Sequence, residues 1–157
     1  MPYIFLALFL VLTSVADTNT LASIRQQIRP VSDASYPCQI WLAYRTAVIH
    51  YVEEHPLTSG PITLSMIGMD NEAMFLTGAG NVVIRNEDYV TVLTWMPMSE
   101  ASITDTIRLS ANDHSIGTSL GSTWETPRFG DMGNLPVYVP SGNIVSEVLL
   151  SGTSLHG

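Results

Sequence analysis

Hydrophobic positions along this chain recur with two different periods, and the switch between them falls near Gly60. In QIWLAYRTAVIHYVEEHP the apolar residues Ile40, Tyr44, Ala47 and Tyr51 form one stripe, widened by Trp41, Val48 and Val52. That spacing predicts an amphipathic helix over 38–54, ended by Pro56 and Gly60. Beyond Gly60 the period falls toward two. PITLSMIGM alternates Ile62, Leu64 and Met66, which predicts a strand. VVIRNEDYVTVLTWM predicts a hairpin with arms at 81–85 and 89–95, turning at Asn86, Glu87 and Asp88. SEASITDTIRLSAND returns to helical spacing through Ile103, Ile107 and Ala111, with Ser99 as N-cap. Short strands follow in SIGTSLG and STW, and LPVYV with NIVSEVLL predicts a last hairpin across PSGN. Helices and strands are segregated rather than alternating as βαβ units, so the expected class is α+β. The long helix should lie on one face of an antiparallel sheet, burying Trp41, Tyr44 and Val48.

The opening MPYIFLALFLVLTSVA has a different character, because it carries no charge at all. Its apolar run, 2–16, makes a helix of roughly 22 Å, short of the ~30 Å hydrocarbon core of a bilayer. It predicts either a signal peptide, with Ser14 and Ala16 spaced as before a cleavage site, or an uncleaved anchor continuing through Leu21 and Ile24. In either case Ile4, Phe5, Leu6, Leu8, Phe9, Leu10, Val11 and Leu12 are the residues expected in the membrane. No Lys or Arg precedes the run, and Arg25 and Arg29 lie beyond it, so orientation is weakly encoded. Cys38 lies too far downstream to serve as a lipidation site. The expected plan is a membrane anchor or signal at 1–16, a polar stalk at 17–37, a periplasmic α+β domain at 38–150 and a flexible tail at 151–157.

Charge and composition narrow the chemistry. The 6 cationic residues are all arginines against 14 acids, for a net charge of −8. Without a lysine there is no P-loop amine, Schiff base or S-x-x-K acylation site. The negative balance and the lack of a basic stripe exclude nucleic acid as a partner. No metal or cofactor site is expected. With 1 cysteine the domain relies on its core, and Cys38 reads as a buried core residue, with a bridge to a partner as the alternative.

Three short patterns carry possible chemistry. GTSLG at 117–121 matches the G-x-S-x-G elbow of serine hydrolases, with Ser119 as nucleophile and Asp131 and His156 following in hydrolase order. No helical stripe follows Ser119 between 122 and 136, and His156 sits beside the C-terminus, so the elbow's context is missing. HYVEEH resembles a zinc-peptidase pattern, but His50 and His55 stand five apart and diverge by roughly 140° on a helix. His50 is better suited to pair with Glu54, and His55 to favour the helix C-terminus. GAGNVV at 78–83 begins like a dinucleotide fingerprint but precedes a strand, so a turn explains its glycines.

Taken together, the hydrophobic start, the polar stalk, the helix ending YVEEHP, SGPITLSMI, the NVVIRN…VLTWMP hairpin and the late GDMGNLPVYVPSGNIVS resemble the PilM family. These are small inner-membrane proteins of type IVB thin-pilus systems on conjugative plasmids. The resemblance implies a pilus-biogenesis component at the envelope base of the pilus, with no enzymatic activity and no motif-borne functional residue. The layout is also similar to pilins, although no Gly or Glu lies between Tyr3 and Ala16 for prepilin processing. The expectation is a non-enzymatic, membrane-tethered domain that contacts pilins, an inner-membrane platform or basal-body proteins. The alternatives are a secreted serine hydrolase using Ser119, or an exported structural subunit.

Overall fold

The computed structural model describes residues 36–87 and 89–151. The residues expected in the membrane, Ile4, Phe5, Leu6, Leu8, Phe9, Leu10, Val11 and Leu12, the rest of the expected anchor and stalk up to residue 35, Asp88 of the hairpin turn and the tail after Ser151, with His156, lie outside the described residues. The chain divides into two units, Met1–Ser32 and Asp33–Gly157, and all described residues belong to the second. Among the described residues, no helix is long and apolar enough to cross a membrane.

Helix α1 runs Tyr36–Glu54, two residues earlier than expected, because Pro37 in the first turn has no hydrogen-bonding duty to fail. Its buried residues are Cys38, Trp41, Tyr44, Val48 and Val52. The stripe predicted through Ile40, Ala47 and Tyr51 is only half-buried, and the buried arc is centred on Trp41 instead. At 100° per residue, Arg45 lies about 40° from Trp41 and therefore inside that arc. The strands are β1 Gly80–Arg85, β2 Val90–Pro97, β3 Ile116–Ser119, β4 Thr123–Thr126, β5 Gly130–Asn134 and β6 Asn143–Leu150, with helix α2 at Glu100–Leu109. They form one antiparallel sheet in the order β1-β2-β6-β3-β4-β5. The long central pair β2–β6 runs from Val90 opposite Leu150 to Pro97 opposite Asn143.

Each face of the sheet has its own core. On one side Val83, Val92, Met96, Ile116 and Ile144 pack with Trp41, Tyr44, Val48 and Val52 of α1 and with Ile103 and Ile107 of α2. On the other side Leu93, Trp124 and Val145 pack under Leu135 and Val139. α2 starts as expected, since the Ser99 hydroxyl accepts from the Ser102 N–H at 3.2 Å. It ends earlier than its stripe. Ala111 and Asn112 take left-handed φ of 57° and 59°, so Ala111 points away from the core instead of continuing the Ile103–Ile107 stripe.

Two predicted strands are absent. PITLSMIGM forms a 3₁₀ turn at Ser65–Ile67 between positive-φ glycines, Gly60 and Gly68. Only Gly60 makes a bridge, to Val83 of β1. The Asn81 carboxamide replaces the missing ladder, accepting from the Ile62 N–H at 2.7 Å and donating to the Ile62 carbonyl at 2.8 Å. LPVYV also forms no strand. It closes over the second face as a loop, held by bonds from Leu135 N–H to Ser122 O at 2.8 Å and from Val139 N–H to Gly121 O at 3.1 Å. NIVSEVLL therefore pairs with β2 and β3, and β4 finds its next partner in the unpredicted β5.

Candidate interaction cleft

An open cleft of about 590 Å³ lies where β3 begins beside β6, lined by Arg45, Asp113, His114, Ser115, Trp124, Met132, Glu147, Val148 and Leu149. Its form follows from Arg45. A guanidinium inside an apolar helix arc must find partners or bear the cost of an uncompensated buried charge. Arg45 Nε donates to Ser146 Oγ at 2.7 Å, and Nη2 donates to Asp113 Oδ2 at 2.9 Å and to Ser115 Oγ at 2.6 Å. Asp113 in turn accepts from the Ser115 N–H at 3.0 Å and the Ser115 hydroxyl at 2.8 Å, both at Oδ1. The left-handed pair Ala111–Asn112 brings the chain from α2 to this position, closed by the Asn112 N–H on Ile107 O at 2.9 Å.

The network decides where β3 begins on β6. Glu147 N–H donates to Ser115 O at 3.0 Å, but the Ser115 N–H that would return the bond is held by Asp113. On the N-terminal side of Ser115 the chain turns away, and among the described residues the last residues of β6 have a strand on one side only.

Two carboxyls of the cleft have opposite electrostatics. Burial pushes Asp113 upward, but the Ser115 N–H and hydroxyl and the Arg45 guanidinium together outweigh it, leaving the acid below its usual range. Burial raises Glu147, and the nearby Trp124 indole N–H only partly offsets that. The same indole N–H is buried and meets no acceptor in good hydrogen-bond geometry, so its effect on Glu147 is a weak, through-space one. No cationic side chain among the described residues forms an ion pair with Glu147.

The lowered acid gives a pH signature. A depressed native pKa adds stability above the unfolded carboxyl range, and that stability is lost as pH falls through the native value. Asp113→Asn should therefore unfold at a lower temperature than the wild type at neutral pH. The gap should narrow toward about pH 3. A gap in melting temperature that is unchanged across this range would mean that Asp113 is not held low by this network.

The residues singled out from sequence have other roles. Ser119 is fully buried, its hydroxyl donating to Val139 O at 2.8 Å and accepting from Gly121 N–H at 3.0 Å. It stitches β3 to the covering loop and does not present a hydroxyl to substrate. Gly117 and Gly121 answer backbone needs, since a Cβ at Gly117 would lie 2.1 Å from Glu125 O, and Gly121 has φ +105°. Asp131 is exposed and accepts from the Gly133 N–H at 2.9 Å. His50 pairs with Glu54 at 3.3 Å as expected, while His55 stacks on Tyr51 with ring centroids 4.1 Å apart. Among the described residues, no group of three or more His, Cys, Asp or Glu is placed to hold a metal. Gly78, with φ +78°, is a turn glycine, but Gly80 opens β1 beneath the Trp95 ring, where a Cβ would meet Cζ2 at 2.4 Å. Cys38 is buried with its Sγ–H toward Ser102 O at 3.4 Å.

Sequence reasoning overlooked Arg45, Asp113, Ser115 and Glu147. Arg45 alone had a signal, as the one polar residue within the arc of Cys38, Trp41, Val48 and Val52.

The comparisons with known proteins agree with this architecture. The PilM family model matches residues 6–147. Among solved structures, that of the PilM protein from Escherichia coli B7A is similar, with a TM-score of 0.50 and 11% identity, covering 76% of this chain and 94% of that one. At that identity the likeness speaks for the fold. No curated protein matches the chain.

Proposed function

Since the chain belongs to the PilM family, we propose that it is a non-enzymatic component of type IVB pilus biogenesis, tethered at the bacterial inner membrane and acting through protein contacts in the periplasm. The family match over residues 6–147 carries this reading. Two further observations support it. The apolar run 2–16 suits a tether, with an uncharged stretch long enough to enter the bilayer. Ser119, the one residue that would have argued for hydrolysis, has its hydroxyl committed to Val139 and Gly121. The partners are pilins, an inner-membrane platform or basal-body proteins. The net charge of −8 argues against nucleic acid as a partner, and this role calls for no cofactor.

Cross-linking intact bacterial envelopes and isolating this protein should recover other pilus-assembly proteins, and mass spectrometry of the mature chain should find Met1 as its start. Recovery of no pilus protein would contradict the contact role. A start at Asp17 would replace the tether with release into the periplasm.

A further inference from the structure

The backbone of β6 identifies a binding edge within the cleft. In an antiparallel sheet, alternate residues of a strand direct their N–H and C=O groups to opposite neighbours. Glu147 N–H donates to Ser115 O, so residues of that parity face the β3 side, and Leu149 is the next of them. β3 supplies no residue opposite Leu149, because its chain has turned away at Asp113. Among the described residues, the Leu149 N–H and C=O therefore open into the cleft, joined by the Glu147 C=O that Ser115 does not serve. Natural edges of this kind are commonly blunted by Lys, Pro or a bulge. None of these occurs in Val148, Leu149 and Leu150.

The side chains around the edge define what fits it. Leu149 is 62% exposed and Met132 39% exposed, and both are apolar side chains that line the cleft. Glu147 is on the same face as Leu149, two residues away, and is a partly buried acid with no cation paired to it among the described residues. The chain's 14 acids and net charge of −8 make it a poor partner for itself and for any anionic segment.

We propose that β6 accepts an added strand from another protein, an extended segment carrying an apolar residue and a Lys or Arg two positions apart. The apolar side chain covers Leu149 and Met132, and the cation meets Glu147. Main-chain bonds to Glu147 and Leu149 supply affinity, while the two side-chain positions supply selectivity, as in other strand-addition complexes. The 590 Å³ of the cleft falls in the range of roughly 300–1,000 Å³ typical of ligand-sized sites. This inference rests on the contact role proposed above and names the surface through which it operates.

The test uses the full chain purified in detergent and two fluorescein-labelled hexapeptides, TVTRTV and TVTETV, followed by fluorescence polarisation. The wild type should bind the arginine peptide saturably and at least about tenfold more tightly than the glutamate peptide. Glu147→Lys should reverse that preference. Leu149→Pro, which removes only an outward-facing N–H, should abolish binding of both peptides, and if it does not fold, the charge reversal alone decides. Absence of saturable binding at concentrations on the order of 1 mM, or a preference that Glu147→Lys leaves unchanged, overturns the proposal. So does a dimer in sedimentation that Leu149→Pro dissociates, since a second copy would then occupy the edge. Loss of pili on gene deletion without peptide binding would remove this surface and leave the family role standing. Unchanged piliation would remove the role itself.

Discussion

Replacing Asn81 with Leu should lower the free energy of unfolding by about 3–5 kcal/mol, since each buried polar group left without a partner costs about 1–3 kcal/mol. Asn81 is the hinge of a buried polar cluster. Its carboxamide serves the Ile62 N–H and C=O and donates to the Tyr44 hydroxyl at 2.7 Å, and both Ile62 and Tyr44 are buried. Leucine fills the volume but satisfies none of the three. Burial raises the Tyr44 hydroxyl above its usual range, and the Asn81 donation only partly offsets this, so the phenol stays neutral and cannot compensate as an anion. Denaturant unfolding of Asn81→Leu, Tyr44→Phe and the double variant gives the test. The loss in the double variant should fall short of the sum of the two single losses by about 0.5–3 kcal/mol, as expected for residues in one network. A loss below about 1 kcal/mol for Asn81→Leu would mean that the 60–69 segment is held by its apolar contacts alone.

Gly117→Ala should cost about 3 kcal/mol or more, above the usual penalty of overpacking, because the clash is with backbone. The new methyl would lie 2.1 Å from Glu125 O and 3.0 Å from Trp124 Cε3, and no rotamer change can move a carbonyl of the neighbouring strand. β3 and β4 would have to separate, loosening the second core around Trp124. Ser119→Ala should cost less, about 1–3 kcal/mol, for the Val139 carbonyl and Gly121 N–H that it leaves unserved. A Gly117→Ala protein as stable as the wild type would refute this packing account of the GTSLG sequence.

Both variants bear on why parts of the fold were legible and others were not. α1, the β1–β2 hairpin and α2 declare themselves through local signals: the 3.6-residue stripe, the apolar arms around a polar turn, and the Ser99 cap. The 60–69 segment mimics a strand because Ile62, Leu64 and Met66 alternate, yet its backbone partner is a side chain 19 residues away in sequence. β5, GDMGN, has no buried residue and is held by main-chain pairing, so no hydrophobic period announces it. LPVYV carries the right composition for a strand, but Pro136 and Pro140 deny it a ladder and leave Leu135 and Val139 to cap the second core.

The cleft was less visible still. Arg45 lies 68 residues from Asp113 and 101 from Ser146, separations that no local period can express. The rotated face of α1 explains the miss, since a helix apolar over most of its circumference lets several stripes fit equally well. The motifs that attracted notice instead, at Ser119 and at Gly78 and Gly80, owe their glycines and serine to close backbone approaches and turns. Short patterns of small residues describe tight chain geometry as readily as chemistry.

Pilus number on cells decides the central claim most directly. Deleting the gene should abolish pili as counted by electron microscopy, and the 1–157 chain should restore them. The same chain with 1–16 replaced by a cleavable signal peptide should not. Normal pilus number in the deletion strain would contradict a role in assembly, and full restoration by the released domain would contradict the tether.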